Sequence, residues 1–267
     1  MPSTLPTVVI LCGGRGTRLQ EHPTALPKPL VEVGGRPIVW HVIGMYVAHG
    51  FRRFLLLTGY QAGQVEAFAA RAGWPLGVSV TCLDTGTDTA TGERVRLAAP
   101  LLEEERFCLA YADGVSDIDL TALLDRHREL GRRATMAVVQ PELPFGVARL
   151  DGNGSVLGFT EKPRSELWVN AGFFCFERAA LETVEPDSVL EREPLERLAA
   201  AGQLRAFRHR GFWECMDTHK DWITLNDLWE SGQAPWLGNS APRGCDSSSA
   251  PGRIPLSESG PDAAGPA

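Results

Sequence analysis

The chain has 267 residues, of which 43% are hydrophobic, and it carries a formal net charge of −7. This composition suffices for one large domain, or two closely merged ones, around a buried core. The acidic balance argues against nucleic acid and anionic membranes as partners, so an anionic substrate would have to be held by a few local cations.

The first half of the chain alternates strand and helix patterns. Residues 8–12 form a short apolar run that ends in two glycines, as a buried parallel strand does. Apolar side chains at 39, 42, 43, 46 and 47 recur with helical spacing. Further strands are predicted over 54–58, 78–83, 107–111 and 134–139, with helices over 64–72 and after the N-cap candidate Asp119. We expect a doubly wound, mostly parallel, Rossmann-like sheet, in which ligands bind at the carboxyl ends of the strands.

The second half of the chain changes character. Two strand patterns flank the turn at residues 151–154 and predict a hairpin over 147–160. More strands are predicted over 169–176, 204–209 and 212–216, with helices around 195–201 and over 220–230. We expect one merged domain over 1–237, with an α/β part at 1–140 and a smaller, mixed β part at 141–237. Residues 238–267 are mostly Gly, Pro, Ser and other small residues, which predicts a disordered tail.

The cysteines, and the lack of an apolar run long enough to span a membrane, indicate in which cell compartment the protein lies. The six cysteines lack any metal-ligand spacing, and most lie in strand patterns, as buried free thiols do. Free thiols suit a reducing cytosol. The sequence has neither a signal-peptide pattern nor a run near the roughly 18 apolar residues of a membrane span. We therefore expect a cytoplasmic protein without a membrane partner.

Lysine is rare in this chain. Only three of the 26 basic residues are lysines, namely Lys28, Lys162 and Lys220. A chain that uses Arg for ordinary surface charge retains Lys where a compact, flexible ammonium is needed. Chance retention is the alternative, and for Lys220 it is the interpretation we prefer.

A glycine-rich segment, GGRGTRL, follows the first predicted strand at residues 13–19. Glycines let backbone N–H groups approach phosphate oxygens that a β-carbon would hold off. The segment is not a Walker A loop, because no lysine follows until Lys28, and it is not a dinucleotide fingerprint, because Leu19 occupies the last glycine position. A tight structural turn would explain the glycines equally well, but Arg18 and Lys28 nearby favour a phosphate site.

Two aspartates follow predicted strands that lie far apart in the sequence. Asp113 comes after the strand at 107–111, and Asp217 ends the strand at 212–216. Carboxylates at two strand ends suit Mg²⁺, which takes one or two protein carboxylates together with phosphates and water. Two alternatives remain open: Asp217 is a helix N-cap, or Asp117 or Asp119 is the functional acid in place of Asp113.

The stretch GGRGTRLQEHPTALPKPLVEVGGRPIVWHV resembles the N-terminal motif of the sugar-1-phosphate nucleotidyltransferase family. The segments YADGVSD, FGVARL, FTEKP, VNAGFF and GFWECMDT…LNDLWESGQAPW are similar to its glucose-1-phosphate cytidylyltransferase branch. The resemblance implies a Mg²⁺-dependent enzyme that joins an NTP to a sugar 1-phosphate and releases pyrophosphate. For this branch the substrates would be CTP and glucose 1-phosphate, and a homo-oligomer is expected.

The resemblance also implies roles for the matched positions. The catalytic residues would be Arg18, Lys28 and Asp113, and the metal ligands Asp113 and Asp217. The nucleotide would be bound by the glycine loop, its flanks and one later arginine, namely Leu11, Gly13, Gly14, Gly16, Thr17, Arg18 and Arg94. The sugar phosphate would be bound from the second part of the chain by Gly146, Glu161, Lys162, Asn170 and Gly172. Residues 1–140 would thus be the nucleotide-binding part and 141–237 the sugar-phosphate-binding part.

Three departures from the branch affect the base and the sugar. The segment at 67–83 is shorter than in the branch, Glu93 replaces a glycine ahead of Arg94, and Ala171 replaces a glycine near the sugar. A carboxylate at 93 would accept from cytosine or from guanine, whereas Arg94 would donate to cytosine, which favours CTP. The alternatives are a guanylyl- or thymidylyltransferase for another sugar, and an inactive regulatory paralogue that only binds nucleotide sugars.

Overall fold

The computed structural model describes residues 5–15 and 26–240, and the burial of side chains is described as far as Leu237. This part of the chain forms thirteen strands and six α-helices. The strands are β1 Val8–Leu11, β2 Glu32–Val33, β3 Arg36–Pro37, β4 Arg53–Thr58, β5 Ser79–Asp84, β6 Arg106–Tyr111, β7 Gly114–Ser116, β8 Ala134–Val139, β9 Val147–Leu150, β10 Val156–Thr160, β11 Val169–Glu177, β12 Leu204–Arg208 and β13 Trp213–Cys215. The helices are α1 Ile38–Ala48, α2 Ala62–Arg71, α3 Thr91–Ala98, α4 Leu120–Leu130, α5 Glu193–Ala200 and α6 His219–Glu230.

Seven strands form the central sheet of the described chain, in the order β12-β8-β11-β6-β1-β4-β5. β1 is parallel to β4 and β6, β4 to β5, and β12 to β8, whereas β11 is antiparallel to both of its neighbours. The mostly parallel sheet that the strand–helix alternation predicts is therefore confirmed. Because β11 and β12 belong to this sheet, the second part of the chain extends the first part's sheet.

Helices cover both faces of the sheet. Successive side chains of a strand point to opposite faces, and in β1 Val8 and Ile10 join one buried cluster while Val9 joins another. The first cluster contains side chains of α1, α2, α4 and α6, and the second contains side chains of α3 and α5. This arrangement confirms the doubly wound prediction.

Local signals define the ends of α4. The Asp119 carboxylate accepts a hydrogen bond of 2.8 Å from the Ala122 amide, so Asp119 is the N-cap that its position predicts. Gly131 follows the last turn with φ at +55°, a left-handed conformation that glycine adopts without steric cost.

Three small antiparallel pairs of the described chain lie outside the main sheet, and the shortest is β2 with β3. β9 and β10 form the predicted hairpin, with Val147 opposite Thr160. β7 pairs with β13, with Gly114 opposite Cys215. The sequence patterns did not predict β7 or α3. The buried face of α3 includes the charged residues Glu93 and Arg94, so the helix lacks a clean apolar stripe.

Within residues 5–15 and 26–240, no helix has the length and apolar character that crossing a membrane requires. The predicted tail at 238–267 lies outside the described residues apart from its first three. Just before it, Trp236 is buried with 3% exposure against α1.

Candidate active site

A cavity of about 590 Å³ opens at the carboxyl ends of β1, β5 and β6. Because these strands are parallel, the glycine loop after β1 and the aspartate after β6 reach the same edge of the sheet. β11 is antiparallel, so its first residues, including Asn170, lie at this edge as well. The sequence-based expectation that the site lies at this edge agrees with the position of the cavity.

Lys28, Asp113 and Asp217 meet in this cavity. The Lys28 Nζ lies 2.5 Å from Asp113 Oδ2 and 2.5 Å from Asp217 Oδ1. Burial by itself would lower the pKa of Lys28, but the two carboxylates outweigh it and raise that pKa above its usual value. The lysine is therefore charged and compensates two acids that would otherwise repel each other.

Separate elements position these three side chains. Lys28 is the first residue of a single 3-10 turn, Lys28–Leu30. It lies between Pro27 and Pro29, which restrict the backbone on both sides of it. The pairing of β7 with β13 brings Asp113 and Asp217 together, and the Met216 amide donates to the Asp113 carbonyl at 2.9 Å.

The N-cap alternative for Asp217 is wrong. Thr218, not Asp217, is the N-cap of α6, in a capping box with Asp221. Asp119 caps α4, and the Asp117 carboxylate lies 2.8 Å from the His209 ring. Of the four aspartates considered, Asp113 and Asp217 line the cavity, whereas Asp117 and Asp119 lie outside the set of described residues that line it.

The two carboxylates fit a divalent cation. Ligand atoms of Asp113, Asp217 and Cys215 all lie within 4.8 Å of one another. Carboxylate oxygens suit Mg²⁺, whereas a thiol does not. Burial, together with both carboxylates, raises the pKa of Cys215, so its sulfur is a neutral neighbour of the site. Cys215 ends β13, two residues before Asp217, and this spacing is the sequence signal that could have identified it.

Arg94 holds Gly13, the first glycine of the loop, in place. Its Nη1 donates to the Thr58 and Gly86 carbonyls, each at 2.8 Å, and its Nη2 donates to the Gly13 carbonyl at 3.2 Å. A β-carbon at position 13 would overlap the guanidinium. The arginine lines the cavity, and its terminal nitrogens donate to groups of the protein itself, so a contact of Arg94 with the base stays a prediction.

Glu93 forms an ion pair on α3. Both of its carboxylate oxygens accept from Arg96, at 2.6 and 2.7 Å. Glu93 lies outside the set of described residues that line the cavity. A contact of Glu93 with the base therefore stays a prediction as well.

The predicted nucleotide residues are described in part. Leu11, Gly13 and Gly14 line the cavity. Gly16, Thr17 and Arg18 lie outside the described residues.

The predicted sugar residues are divided between two places. Asn170 lines the cavity, and its Oδ1 accepts from the Gly172 amide at 2.8 Å. Gly172 lies behind the wall with φ at +81°, where a β-carbon would come within 2.8 Å of the Tyr111 ring. Gly146 lies under the side chains of Phe159 and Glu161 in the hairpin.

Lys162 lines a neighbouring cavity of about 380 Å³. Glu142, Arg164 and His209 also line this second cavity, and Trp213 borders both cavities. Lys162 and Asn170, which the resemblance assigns to one sugar phosphate, thus line different cavities, and Trp213 lines both.

Several residues of the main cavity escaped the sequence analysis. Trp213 is fixed by a hydrogen bond of 2.8 Å from its indole nitrogen to the Ala171 carbonyl. Tyr111 and Thr91 both donate to Glu191, which lies 80 residues beyond Tyr111 in the sequence. Tyr111 precedes Asp113 by two residues, a signal that was available, whereas no local pattern marks Glu191.

A family model described as nucleotidyl transferase matches residues 7–231. The chain is 38% identical over 253 residues to glucose-1-phosphate cytidylyltransferase of Salmonella typhi, covering 85% of this chain and 97% of that protein. It is 34% identical to a probable glucose-1-phosphate cytidylyltransferase of Bacillus subtilis, covering 85% and 98%. It is 32% identical to the mannose-1-phosphate guanylyltransferase catalytic subunit beta of Drosophila pseudoobscura pseudoobscura, covering 81% of this chain and 60% of that protein.

Solved structures share the fold. HddC from Yersinia pseudotuberculosis superimposes with a TM-score of 0.67 at 20% identity, covering 84% of this chain and 100% of that one. A putative glucose-1-phosphate thymidylyltransferase from Bacillus anthracis gives a TM-score of 0.65 at 20% identity, covering 83% and 94%.

Proposed function

Because the chain belongs to the nucleotidyl transferase family and is a sugar-1-phosphate nucleotidyltransferase, we propose that it transfers a cytidylyl group from CTP to glucose 1-phosphate. The observation that carries the proposal is the meeting of Lys28, Asp113 and Asp217 beside the glycine loop. The similarity to cytidylyltransferases along nearly their whole length supports the choice of CTP and glucose 1-phosphate.

The reaction is an in-line displacement at the α-phosphorus of the NTP. A phosphate oxygen of the sugar phosphate forms the new bond, the bond to the bridging oxygen of the β-phosphate breaks, and pyrophosphate leaves. Such a reaction needs little covalent help from the protein, which contributes position and charge.

Asp113 and Asp217 would hold a divalent cation, for which we propose Mg²⁺. When bound, such an ion neutralises charge on the phosphate oxygens. Lys28 supplies a further positive charge at the same place and would bind oxygens of the triphosphate and of the leaving pyrophosphate. Arg18 would add to this charge from the glycine loop.

The sugar phosphate would lie across the two cavities that Trp213 borders. Lys162 would hold its phosphate from the second cavity, and Asn170 would contact the ring from the first. Gly146 and Glu161 would reach the ring from the hairpin, with Gly172 behind Asn170.

Pyrophosphate release tests this function. Five NTPs are combined with a set of sugar 1-phosphates, and we expect CTP with glucose 1-phosphate to give the highest kcat/KM. A clear preference for GTP would overturn the cytidylyl assignment and leave the reaction class standing. Absence of release with every pair would favour the regulatory paralogue.

Two further proposals concern the protein in the cell. We place it in the cytoplasm as a homo-oligomer. The exposed apolar side chains of the β9–β10 hairpin, including Val156 at 62% and Phe159 at 66%, support self-association. Sedimentation velocity measures the oligomer, and a purely monomeric protein at micromolar concentration would contradict the proposal.

A further inference from the structure

Glu191 lies in the wall of the main cavity, in the segment before α5. The reaction described above gives it no role. Its Oε1 accepts a hydrogen bond of 2.5 Å from the Tyr111 hydroxyl, and its Oε2 accepts one of 2.6 Å from the Thr91 hydroxyl. Thr91 begins α3 and Tyr111 ends β6, so one carboxylate connects two elements of the site.

The hydroxyl protons of both partners are oriented by this carboxylate. The Thr91 hydroxyl oxygen accepts a hydrogen bond of 2.9 Å from the backbone amide of Leu190, and the Tyr111 hydroxyl oxygen accepts one of 3.1 Å from the side-chain amide of Asn170. A carboxylate can only accept, so each hydroxyl must donate to Glu191. Burial and then the charge of Glu191 raise the pKa of Tyr111, which keeps the phenol protonated and donating. The lone pairs that remain on these groups make this part of the wall a set of hydrogen-bond acceptors.

The segment that carries Glu191 is fixed to α3. Leu190 is buried with 2% exposure, and the Glu93 amide donates to the Ser188 carbonyl at 3.2 Å. A β-carbon at Gly92 would come within 2.6 Å of that same carbonyl oxygen, so only glycine permits this close approach. The backbone therefore holds the carboxylate at one place in the cavity.

We propose that Glu191, together with the hydroxyls of Tyr111 and Thr91, binds ring hydroxyls of a substrate and selects the hydroxylated form over the deoxy form. The proposal rests on the proposed function, which supplies two substrates that each carry a sugar ring. The carboxylate repels their phosphates, whereas ring hydroxyls supply the donors that an acceptor wall requires. Discrimination follows because a deoxy ligand leaves these acceptors without a partner.

The ring is either the ribose of the NTP or the hexose of the sugar phosphate, and titration calorimetry separates the two. One arm compares CTP with 2′-deoxy-CTP. The other compares glucose 1-phosphate with its 2-, 3- and 4-deoxy forms, in the presence of a CTP analogue whose α,β-bridging oxygen is a methylene. Both arms are run on the wild type, on Glu191→Gln, and on the control Glu193→Gln, which changes an exposed glutamate of α5.

In one of the two arms, we expect the wild type and Glu193→Gln to bind the hydroxylated ligand about ten- to a hundredfold more tightly. Glu191→Gln should lose most of this preference, with the affinity for the deoxy ligand nearly unchanged. An unchanged preference in both arms would overturn the proposal. A loss of affinity that is equal for hydroxylated and deoxy ligands would also overturn it, because it would indicate a structural role.

The result of the binding experiment does not depend on the result of the pyrophosphate-release experiment. Binding is measured without turnover, so an absence of pyrophosphate release contradicts the transferase proposal and still leaves the preference measurable. If GTP proves to be the better nucleotide, the first arm uses GTP and 2′-deoxy-GTP. Because Glu191 is exposed at the cavity wall, we expect the variants to fold, and melting temperatures equal to the wild type verify this.

Discussion

Lys28 contacts the carboxylate oxygens of Asp113 and Asp217, which are the proposed ligands of the divalent cation. Its ammonium lies between Asp113 and Asp217, and side-chain exposures of 15% for Lys28 and 19% for Asp113 limit the screening of this contact by water. A cation that binds both carboxylates must therefore displace the ammonium. The triphosphate provides a new partner for it, so we expect metal and nucleotide to bind together.

Replacement of Lys28 tests this competition. Lys28→Met should bind Mn²⁺ more tightly than the wild type in the absence of nucleotide, because the carboxylates lose their internal counter-ion. The same variant should transfer nucleotide poorly. Electron paramagnetic resonance measures free Mn²⁺, and the exposed Lys220→Met is the control that should change neither property. Equal Mn²⁺ affinity in Lys28→Met and the wild type would contradict the competition.

The two aspartates should be indispensable for turnover. Asp113→Asn and Asp217→Asn should each lower kcat by about a hundredfold or more, because each removes a charged ligand of the proposed cation. EDTA should abolish wild-type activity and Mg²⁺ should restore it. Circular dichroism verifies the fold of each variant, and full activity in a folded variant would remove that residue from the site.

At the scale of elements, α3 fixes Gly13, the first residue of the glycine-rich segment. Arg94 donates from α3 to the carbonyls of Gly13, Thr58 and Gly86, and so joins the ends of β1 and β4 to the segment after β5. The glycine at position 13 thus permits the approach of an arginine from within the protein, in addition to any approach of phosphate.

Two neighbouring glycines test this contact. Gly13→Ala should lower the free energy of unfolding by about 1–3 kcal/mol, because its β-carbon would overlap the Arg94 guanidinium. Gly14→Ala is the matched control, since no described atom lies within 4 Å of its β-carbon position. Urea denaturation measures both, and equal stability of the two variants would contradict the packing of Arg94 on Gly13.

At the scale of the whole molecule, Trp236 joins the end of the described chain to α1. Its indole nitrogen donates to His41 Nδ1 at 3.1 Å, and its ring stacks on Phe212 with centroids 5.6 Å apart. The indole can only donate, so His41 Nδ1 accepts and Nε2 donates to the Val33 carbonyl at 2.9 Å.

Truncation measures the contribution of this contact. A chain that ends after Leu237 should keep its activity and melting temperature, because the expected disordered tail contributes little to a core. A chain that ends after Gln233 should lose about 3–5 kcal/mol of unfolding free energy, the usual cost of removing a buried tryptophan side chain. Thermal denaturation compares the two, and an equal melting temperature would show that Trp236 does not stabilise the domain.

His41 should also make stability depend on pH. Burial lowers its pKa to about 4 in the folded chain, whereas an unfolded histidine has a pKa of about 6.5. Between these values the unfolded chain binds a proton that the folded chain does not, so stability falls as pH decreases from about 6.5 to 4. The loss should be about 3 kcal/mol. His127, whose pKa burial also lowers to about 4, acts in the same direction.

Denaturation across this pH range is compared with His41→Gln, which does not titrate and whose amide can both donate and accept. The variant should show a weaker dependence on pH. An identical slope in the two proteins would mean that His41 does not titrate differently on folding.

The sequence by itself determined the order of the elements and the edge of the sheet that carries the site. Apolar periodicity is a local property, and it predicted β1 and α1, which are mostly buried. The hairpin was predicted by its turn residues, and its strands are mostly exposed. Lys28 and the two aspartates could be singled out one at a time by lysine scarcity and by position after a strand.

Only the tertiary structure decided which of these groups meet. The pairing of β7 with β13 joins Asp113 to Asp217 across about a hundred residues, and no local pattern records such a contact. The same holds for Arg94, whose donors are used by backbone carbonyls, and for Glu191, which reaches Tyr111 across 80 residues. A hydrogen-bond partner is determined by distance in space after folding, so residue type and spacing revealed neither the carbonyl partners of Arg94 nor the place of Glu191 in the site.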